Sequence, residues 1–142
     1  YLIQTARLLG IDTPKIACIA PSEQVLPSVP SSTEGAILAK MGDRGQLGNA
    51  IVDGPLSLDV ALYKEVAEHK KVKGSAVAGD PDCLLFPNIE SANVFFKAAT
   101  HFGGAELAAM VMGTKVPCVL TSRGDSRLTK MYSIALACLA AR

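Results

Sequence analysis

Short apolar runs alternate with longer amphipathic segments along this chain, a pattern that predicts strands separated by helices. Turn-forming residues flank the apolar runs. The first apolar run follows Pro14 and ends before Pro21. The predicted strands are residues 15–20, residues 50–52 running into 53–56, and residues 83–86, 107–112 and 116–120. This alternation indicates an α/β fold with a mainly parallel sheet.

The amphipathic segments predict helices between these strands. The second helix begins with the capping-box spacing of Ser31 and Glu34, and the fourth follows Pro87. The predicted helices are residues 1–9, 31–41 and 57–69, a segment that includes residues 92–99, and residues 126–140. The last helix is apolar on nearly all sides, so we expect it to be well buried.

The length of 142 residues corresponds to one ordinary domain with a sizeable core. Apolar residues make up 49% and charged residues 19%, which excludes a disordered, collagen-like or coiled-coil chain. The net charge of +1 provides no positive surface potential that would attract nucleic acid. No uninterrupted apolar run reaches the roughly 18 residues that a membrane-spanning helix needs. No nucleic acid and no membrane are therefore expected as partners. The chain opens in mid-pattern at Tyr1, without Met or a signal peptide, so we expect a piece of a longer protein.

The four cysteines lie among apolar neighbours and form no C-x-x-C pair, which disfavours a zinc knuckle or a thioredoxin motif. We expect them to be small buried hydrophobic residues with free thiols, as is typical of a reducing, cytoplasmic setting.

Ligands of α/β folds gather where strands end and helices begin, and residues 119–126 form the strongest such junction. Free backbone N–H groups and the helix dipole favour an anion there. Ser122 adds a hydroxyl, and Arg123 adds a guanidinium fork suited to phosphate. The alternative is structural: Ser126 or Asp125 caps the helix, and Arg123 is a solvated turn residue. Spacing alone leaves both interpretations open.

Two further junctions favour structural roles on spacing alone. Asp53 precedes a Gly-Pro turn and Asp59 lies in the first turn of the next helix, but one pair of aspartates is weak evidence for a metal. Glu90, Asn93 and Lys97 share one helix stripe, which is typical of a solvated face but can also hold a polar ligand. The two histidines fall near helix ends, where a favourable charge is their expected role.

Four motifs resemble, in their order, those of the phosphate acyltransferases, the family of phosphate acetyltransferase and phosphate butyryltransferase, and the resemblance covers essentially the whole chain. They are residues 51–56 with Asp59 and Ala61, residues 77–79, residues 87–93 with Lys97, and residues 120–123. Residues 43–46 and 120–123 look more like the butyryl branch. Gly124 matches the acetyl pattern and Asp125 the butyryl one, so the branch stays open.

The resemblance implies a three-layer fold, a mainly parallel sheet flanked by helices in an isocitrate/isopropylmalate dehydrogenase-like architecture, here incomplete at the N-terminus. Residues 1–142 would be the C-terminal portion. Residues 11–115 would be mostly the second α/β subdomain, and residues 116–142 a strand and helix returning to the first. The family site lies in the cleft between subdomains, usually in a homodimer.

The activity implied by the resemblance is acyl transfer between coenzyme A and inorganic phosphate, giving an acyl phosphate without a metal or redox cofactor. Ser122 matches the serine that steadies the developing charge, and Arg123 the arginine that binds phosphate or coenzyme A. The predicted substrate-binding residues are Asn93, Lys97, Thr121, Gly124 and Asp125. The acetyl branch places a proposed base where this chain has Thr129, which leaves Asp125 as a stand-in.

Two other functional classes compete with this expectation. The first is a non-catalytic oligomerisation or regulatory module that keeps the acyltransferase fold, favoured by the absence of a carboxylate at Thr129. A metal-dependent decarboxylating dehydrogenase is disfavoured, because it needs a cluster of aspartates that no single helix face provides.

Overall fold

The structure is a computed structural model that describes residues 1–141. The chain divides into two compact units: the first is Leu2–Ser91, and the second comprises Tyr1 together with the residues from Ala92 onward. No helix among the described residues has both the length and the apolar composition that a membrane crossing requires.

The first unit contains a three-stranded parallel sheet in the order β2-β1-β3. The strands are β1 (Lys15–Ile19), β2 (Ile51–Leu56) and β3 (Cys83–Leu85). The central strand β1 is buried over its three middle residues, as its continuous apolar run predicts. The predicted mainly parallel sheet is confirmed.

Helices cover both faces of this sheet. Successive residues of β1 point to opposite sides, so neighbouring residues pack against different helices. Ala17 packs in one apolar cluster with residues of α3 (Leu58–Leu62) and α4 (Lys64–His69). Ile16 and Cys18 pack in another cluster with residues of α1 (Leu2–Leu8) and α2 (Pro30–Asp43). The result is a layered α/β unit, as predicted.

Two helix boundaries differ from the expectation. The capping box of Ser31 and Glu34 does not form: α2 begins at Pro30, its N-cap is Val29, and no side chain caps it. Proline is preorganised for the first helical position, so the helix starts before Ser31 can act as a cap. The predicted helix over residues 57–69 is divided in two, because Tyr63 has the extended dihedrals φ −122° and ψ 115°.

The helix α5 (Ile89–His101) runs from the first unit into the second, and α6 (Arg127–Ala140) completes the described structure. The segments predicted as strands over residues 107–112 and 116–120 meet only at one antiparallel bridge, between Val111 and Cys118. Their apolar runs resemble strands, but a strand needs a partner along its length.

The expectation of a well-buried last helix is wrong within residues 1–141. Only Thr129, Ser133 and Leu136 of α6 are buried, and they form one stripe. Met131 and Ile134 are 53% and 59% exposed. Residues 92–141 therefore cover α6 on one side only.

The cysteines are all free, but only Cys18 is buried; Cys83 and Cys118 are half-buried and Cys138 is exposed. Burial, helped by the charge of Asp53, raises the pKa of the Cys18 thiol to about 11. The expectation of buried cysteines is thus confirmed for Cys18 and wrong for Cys138.

Candidate functional site

The junction before α6 forms a tight turn over residues 122–125 that is closed by two hydrogen bonds. The Asp125 N–H donates to the Ser122 carbonyl at 3.1 Å, and the Ser122 N–H donates to Asp125 Oδ2 at 2.7 Å. Arg123 and Gly124 occupy the centre of the turn and are exposed. The Ser122 N–H, one of the backbone donors of the junction at which an anion is expected, is therefore held by a carboxylate of the same turn.

Ser126, and not Asp125, caps α6. The Ser126 hydroxyl accepts a hydrogen bond from the Thr129 N–H at 3.1 Å and lies 3.1 Å from Thr129 Oγ1. Thr129 is buried and belongs to the helix cap, so the position at which the resemblance implies a base in the acetyl branch has a structural role in this chain. Of the two caps that spacing allowed, the structure selects Ser126 and leaves Asp125 to close the turn.

Lys97 on α5 lies next to this turn. Its Nζ is 3.8 Å from Asp125 Oδ1 and 4.1 Å from the centre of the Phe96 ring. The side chain of Lys97 is 39% exposed, whereas that of Asp125 is 9% exposed. A partly shielded carboxylate thus has a cation on one oxygen and a backbone donor on the other.

A cavity of about 200 Å³ opens between α5, the turn and the start of α6. It is lined by Phe96, Lys97, Thr100, His101, Ala105, Gly124, Asp125, Ser126 and Thr129. Three predicted substrate-binding residues, Lys97, Gly124 and Asp125, are among them. The other predicted site residues, which are Asn93, Thr121, Ser122 and Arg123, do not line the cavity.

Sequence reasoning missed His101 and Thr100 as lining residues. The signal was available: His101 follows Lys97 by four positions, and such residues lie on the same side of a helix. The position of His101 near the helix end predicts only a favourable charge there.

A second polar cluster lies in the first unit and joins three segments that are distant in sequence. The Ser57 hydroxyl is within hydrogen-bond reach of the carboxylates of Glu23 and Asp59, and its single proton serves one of them at a time. Lys70 Nζ lies 3.1 Å from Ser57 Oγ and 3.1 Å from Asp59 Oδ2. We call these four residues the Ser57 cluster. Glu23 is 34 positions from Ser57, so no local pattern reveals this contact.

The pKa values in the Ser57 cluster favour the charged forms. Hydrogen bonds from Ser57 and then Lys70 lower the pKa of Asp59 to about 2. Desolvation raises the pKa of Glu23, but the hydrogen bonds from Ser57 and the charge of Lys70 outweigh it, so the net pKa is lowered. The hydrogen bond to Asp59 raises the pKa of Lys70.

Acid is expected to weaken the first unit through Asp59. The pKa of about 2 in the folded protein is below the ordinary aspartate value of 3.8, so this carboxylate stabilises the fold fully above pH 3.8 and loses its effect as the pH falls towards 2. An Asp59→Asn variant should therefore lose less stability between about pH 7 and about pH 3 than the unaltered protein does. The measurement is the urea midpoint at both pH values.

The matched control is Asp12→Asn, because Asp12 is exposed and its carboxylate has no partner among residues 1–141. This control should keep the acid sensitivity of the unaltered protein. Equal losses in the Asp59 and Asp12 variants would contradict the stabilising role of Asp59.

No group of three or more histidine, cysteine or acidic side chains within residues 1–141 is arranged to hold a metal ion. The two aspartates near the Gly-Pro turn have different partners. The Asp53 carboxylate accepts a hydrogen bond from the Gly54 N–H at 2.8 Å, and Asp59 belongs to the Ser57 cluster.

Comparison with known proteins confirms the resemblance. The family model for phosphate acetyl/butaryl transferases matches residues 2–138. A phosphate butyryltransferase of Clostridium acetobutylicum is 48% identical over 139 residues, which cover 98% of this chain and 46% of that protein. A phosphate acetyltransferase of Thermotoga maritima is 46% identical over 136 residues, covering 96% of this chain and 46% of that relative.

The solved structure of a branched-chain phosphotransacylase from Enterococcus faecalis V583 matches with a TM-score of 0.86 at 37% identity. The match covers 98% of this chain and 49% of that one. The chain spans about half the length of the curated relatives it matches. Because the family model matches nearly every residue and the fold agrees, this chain belongs to the phosphate acetyl/butaryl transferase family.

Proposed function

We propose that this chain forms part of an enzyme that moves an acyl group, acetyl or butyryl, between coenzyme A and inorganic phosphate. The observation that carries this proposal is the family match over residues 2–138. Relatives named as a phosphate butyryltransferase and a phosphate acetyltransferase support it at 48% and 46% identity. Their similar identities leave the choice of acyl group open.

The proposed chemistry is a direct acyl transfer. An oxygen of phosphate attacks the thioester carbonyl, and a C–O bond forms as the carbonyl oxygen takes up negative charge. Collapse of this tetrahedral species breaks the C–S bond, releasing coenzyme A as the thiolate and leaving the acyl phosphate. Preorganised donors at the oxyanion are the main means of lowering such a barrier.

Ser122 and Arg123 are the proposed catalytic residues. The Ser122 hydroxyl is exposed and has no hydrogen-bond partner within residues 1–141, so it is free to donate to the oxyanion. The exposed guanidinium of Arg123 provides two parallel donors for a phosphate group.

The cavity beside the turn is the proposed binding region for part of the substrate. A Cβ added at Gly124 would meet no heavy atom within 4 Å, so packing inside this chain does not require glycine there. A close approach of substrate to the backbone is a reason to keep it. Lys97 and Asp125 line the same cavity, and Thr121 and Asn93 remain proposed contacts outside it.

The whole enzyme is proposed to need more than this chain. The relatives are about twice as long as the region they share with it. Holding two substrates together accounts for many powers of ten in rate, so a partial set of contacts is insufficient. A homodimer and a cytoplasmic location belong to the same proposal, with coenzyme A as substrate and no further cofactor.

The test of this function uses the full-length protein, acyl-CoA and phosphate, with release of the coenzyme A thiol as the readout. Arg123→Ala is expected to lower kcat/KM roughly ten- to hundredfold, because charge-assisted hydrogen bonds to phosphate are lost. Arg123→Lys should recover little, because a lysine ammonium cannot reproduce the two-pronged contact.

Lys115→Ala is the control, since Lys115 is an exposed cation of the same unit whose ammonium has no partner among residues 1–141. Absence of phosphate-dependent thiol release by the unaltered protein would overturn the proposed function. Unchanged kinetics in Arg123→Ala would overturn the site while leaving the function standing.

A further inference from the structure

We propose that Lys97 is a positioning residue that sets the conformation of the 122–125 turn through the carboxylate of Asp125. This inference deepens the proposed function and rests on it, because the turn carries the groups assigned to catalysis. It differs from the expectation that Lys97 binds substrate directly.

The two oxygens of the Asp125 carboxylate have different partners. Oδ2 accepts the Ser122 N–H at 2.7 Å, and Oδ1 lies 3.8 Å from Lys97 Nζ. A single rigid group therefore connects the helix α5 to the backbone of Ser122. Any displacement of the carboxylate is transmitted to that backbone.

The carboxylate depends on both partners because little water reaches it. The side chain of Asp125 is 9% exposed, and a shielded charge is costly unless it is paired and hydrogen-bonded. Without the Lys97 ammonium, the carboxylate gains by turning towards solvent. The Ser122 N–H then loses its acceptor, and the turn loses one of its two closing hydrogen bonds.

The position of the Lys97 ammonium is itself restrained. It lies 4.1 Å from the centre of the Phe96 ring, a geometry in which the ring attracts the cation. Lys97 belongs to a 13-residue helix, so its backbone is also held. A lysine held in this way is suited to orienting a neighbouring side chain.

The first experiment measures hydrogen exchange of the Ser122 amide by NMR in the full-length protein. Asp125→Ala should speed this exchange roughly ten- to hundredfold, because a hydrogen bond to a charged acceptor is removed. Lys97→Ala should speed it roughly two- to fivefold, as expected for a partly exposed ion pair. Lys97→Arg should restore slow exchange, and Lys115→Ala should leave it unchanged.

Salt provides a test that needs no substitution. Raising the ionic strength screens the Lys97–Asp125 attraction, so Ser122 exchange in the unaltered protein should approach that of Lys97→Ala. The Lys97→Ala variant should show no comparable response. A Ser122 exchange rate that changes neither with salt nor with the loss of Lys97 would overturn the proposal.

Kinetics distinguish positioning from direct binding. Positioning predicts that Lys97→Ala lowers kcat with little change in KM for phosphate, and that its effect disappears when Asp125 is already alanine. Direct binding predicts a raised KM in either background together with unchanged Ser122 exchange, and this result would overturn the proposal. If the unaltered protein shows no thiol release at all, the proposed function fails, but the exchange measurements still decide whether Lys97 sets the turn.

Discussion

Replacing Ser122 by alanine is expected to lower kcat of the full-length protein by about 10²- to 10³-fold, the usual cost of removing one oxyanion donor. KM should change little, because this hydroxyl is proposed to act on charge that develops only in the transition state. Stability should change by no more than about 0.5 kcal/mol, since the exposed hydroxyl makes no hydrogen bond within residues 1–141. The measurements are steady-state thiol release and a urea unfolding curve.

Ser28→Ala is the matched control for this change. Ser28 is also exposed, and its hydroxyl has no hydrogen-bond partner among the described residues. Its substitution should leave both kinetics and stability as they were. A covalent acyl adduct on Ser122, detected by mass spectrometry during turnover, would replace the oxyanion role with a nucleophilic one.

Gly79→Ala is expected to cost roughly 3–5 kcal/mol of unfolding free energy, a large part of the stability of an ordinary domain. Gly79 has a φ of +81°, which L residues rarely adopt. An added Cβ would also lie 2.5 Å from the Cα and 2.8 Å from the backbone N of Lys64, at the start of α4. Backbone atoms cannot move aside as a flexible side chain can, so both penalties apply.

Gly74→Ala separates these two penalties. Gly74 has a similar φ of +76°, but a Cβ there would meet nothing within 4 Å. This variant should lose only about 1–2 kcal/mol, the cost of a left-handed conformation. Equal losses at the two positions would show that contact with Lys64 contributes nothing.

The sequence predicted where the candidate site lies along the chain, but not how its side chains and backbone groups are paired. Residues 119–126 contain the end of an apolar run, then a turn, then the beginning of a helix, and this order indicated a ligand site. The family resemblance assigned roles to Ser122 and Arg123. Spacing did not reveal that the Asp125 carboxylate takes the Ser122 N–H, since Asp125 and Ser126 are both good helix caps. The choice between them depends on the path of the turn.

Contacts across long sequence separations were also outside the reach of local patterns. The Ser57 cluster joins the loop after β1, the start of α3 just after β2, and the residue after α4. Each member alone looks like an ordinary surface residue. Only the parallel order of the strands brings the loops that follow them to the same edge of the sheet.

The sequence by itself determined the α/β class, the positions of β1, β2 and β3 and the helices that follow them, because compact apolar runs and amphipathic periods express local backbone preference and burial together. It also predicted strands over residues 107–112 and 116–120, which meet only at one bridge in the structure. It also determined family membership through motifs spread along the chain. The tertiary structure decided the pairing of Asp125 with Lys97, the division of the helix at Tyr63 and the exposure of α6. These features depend on which surfaces meet, and the free energy of such contacts is set by neighbours that local sequence does not specify.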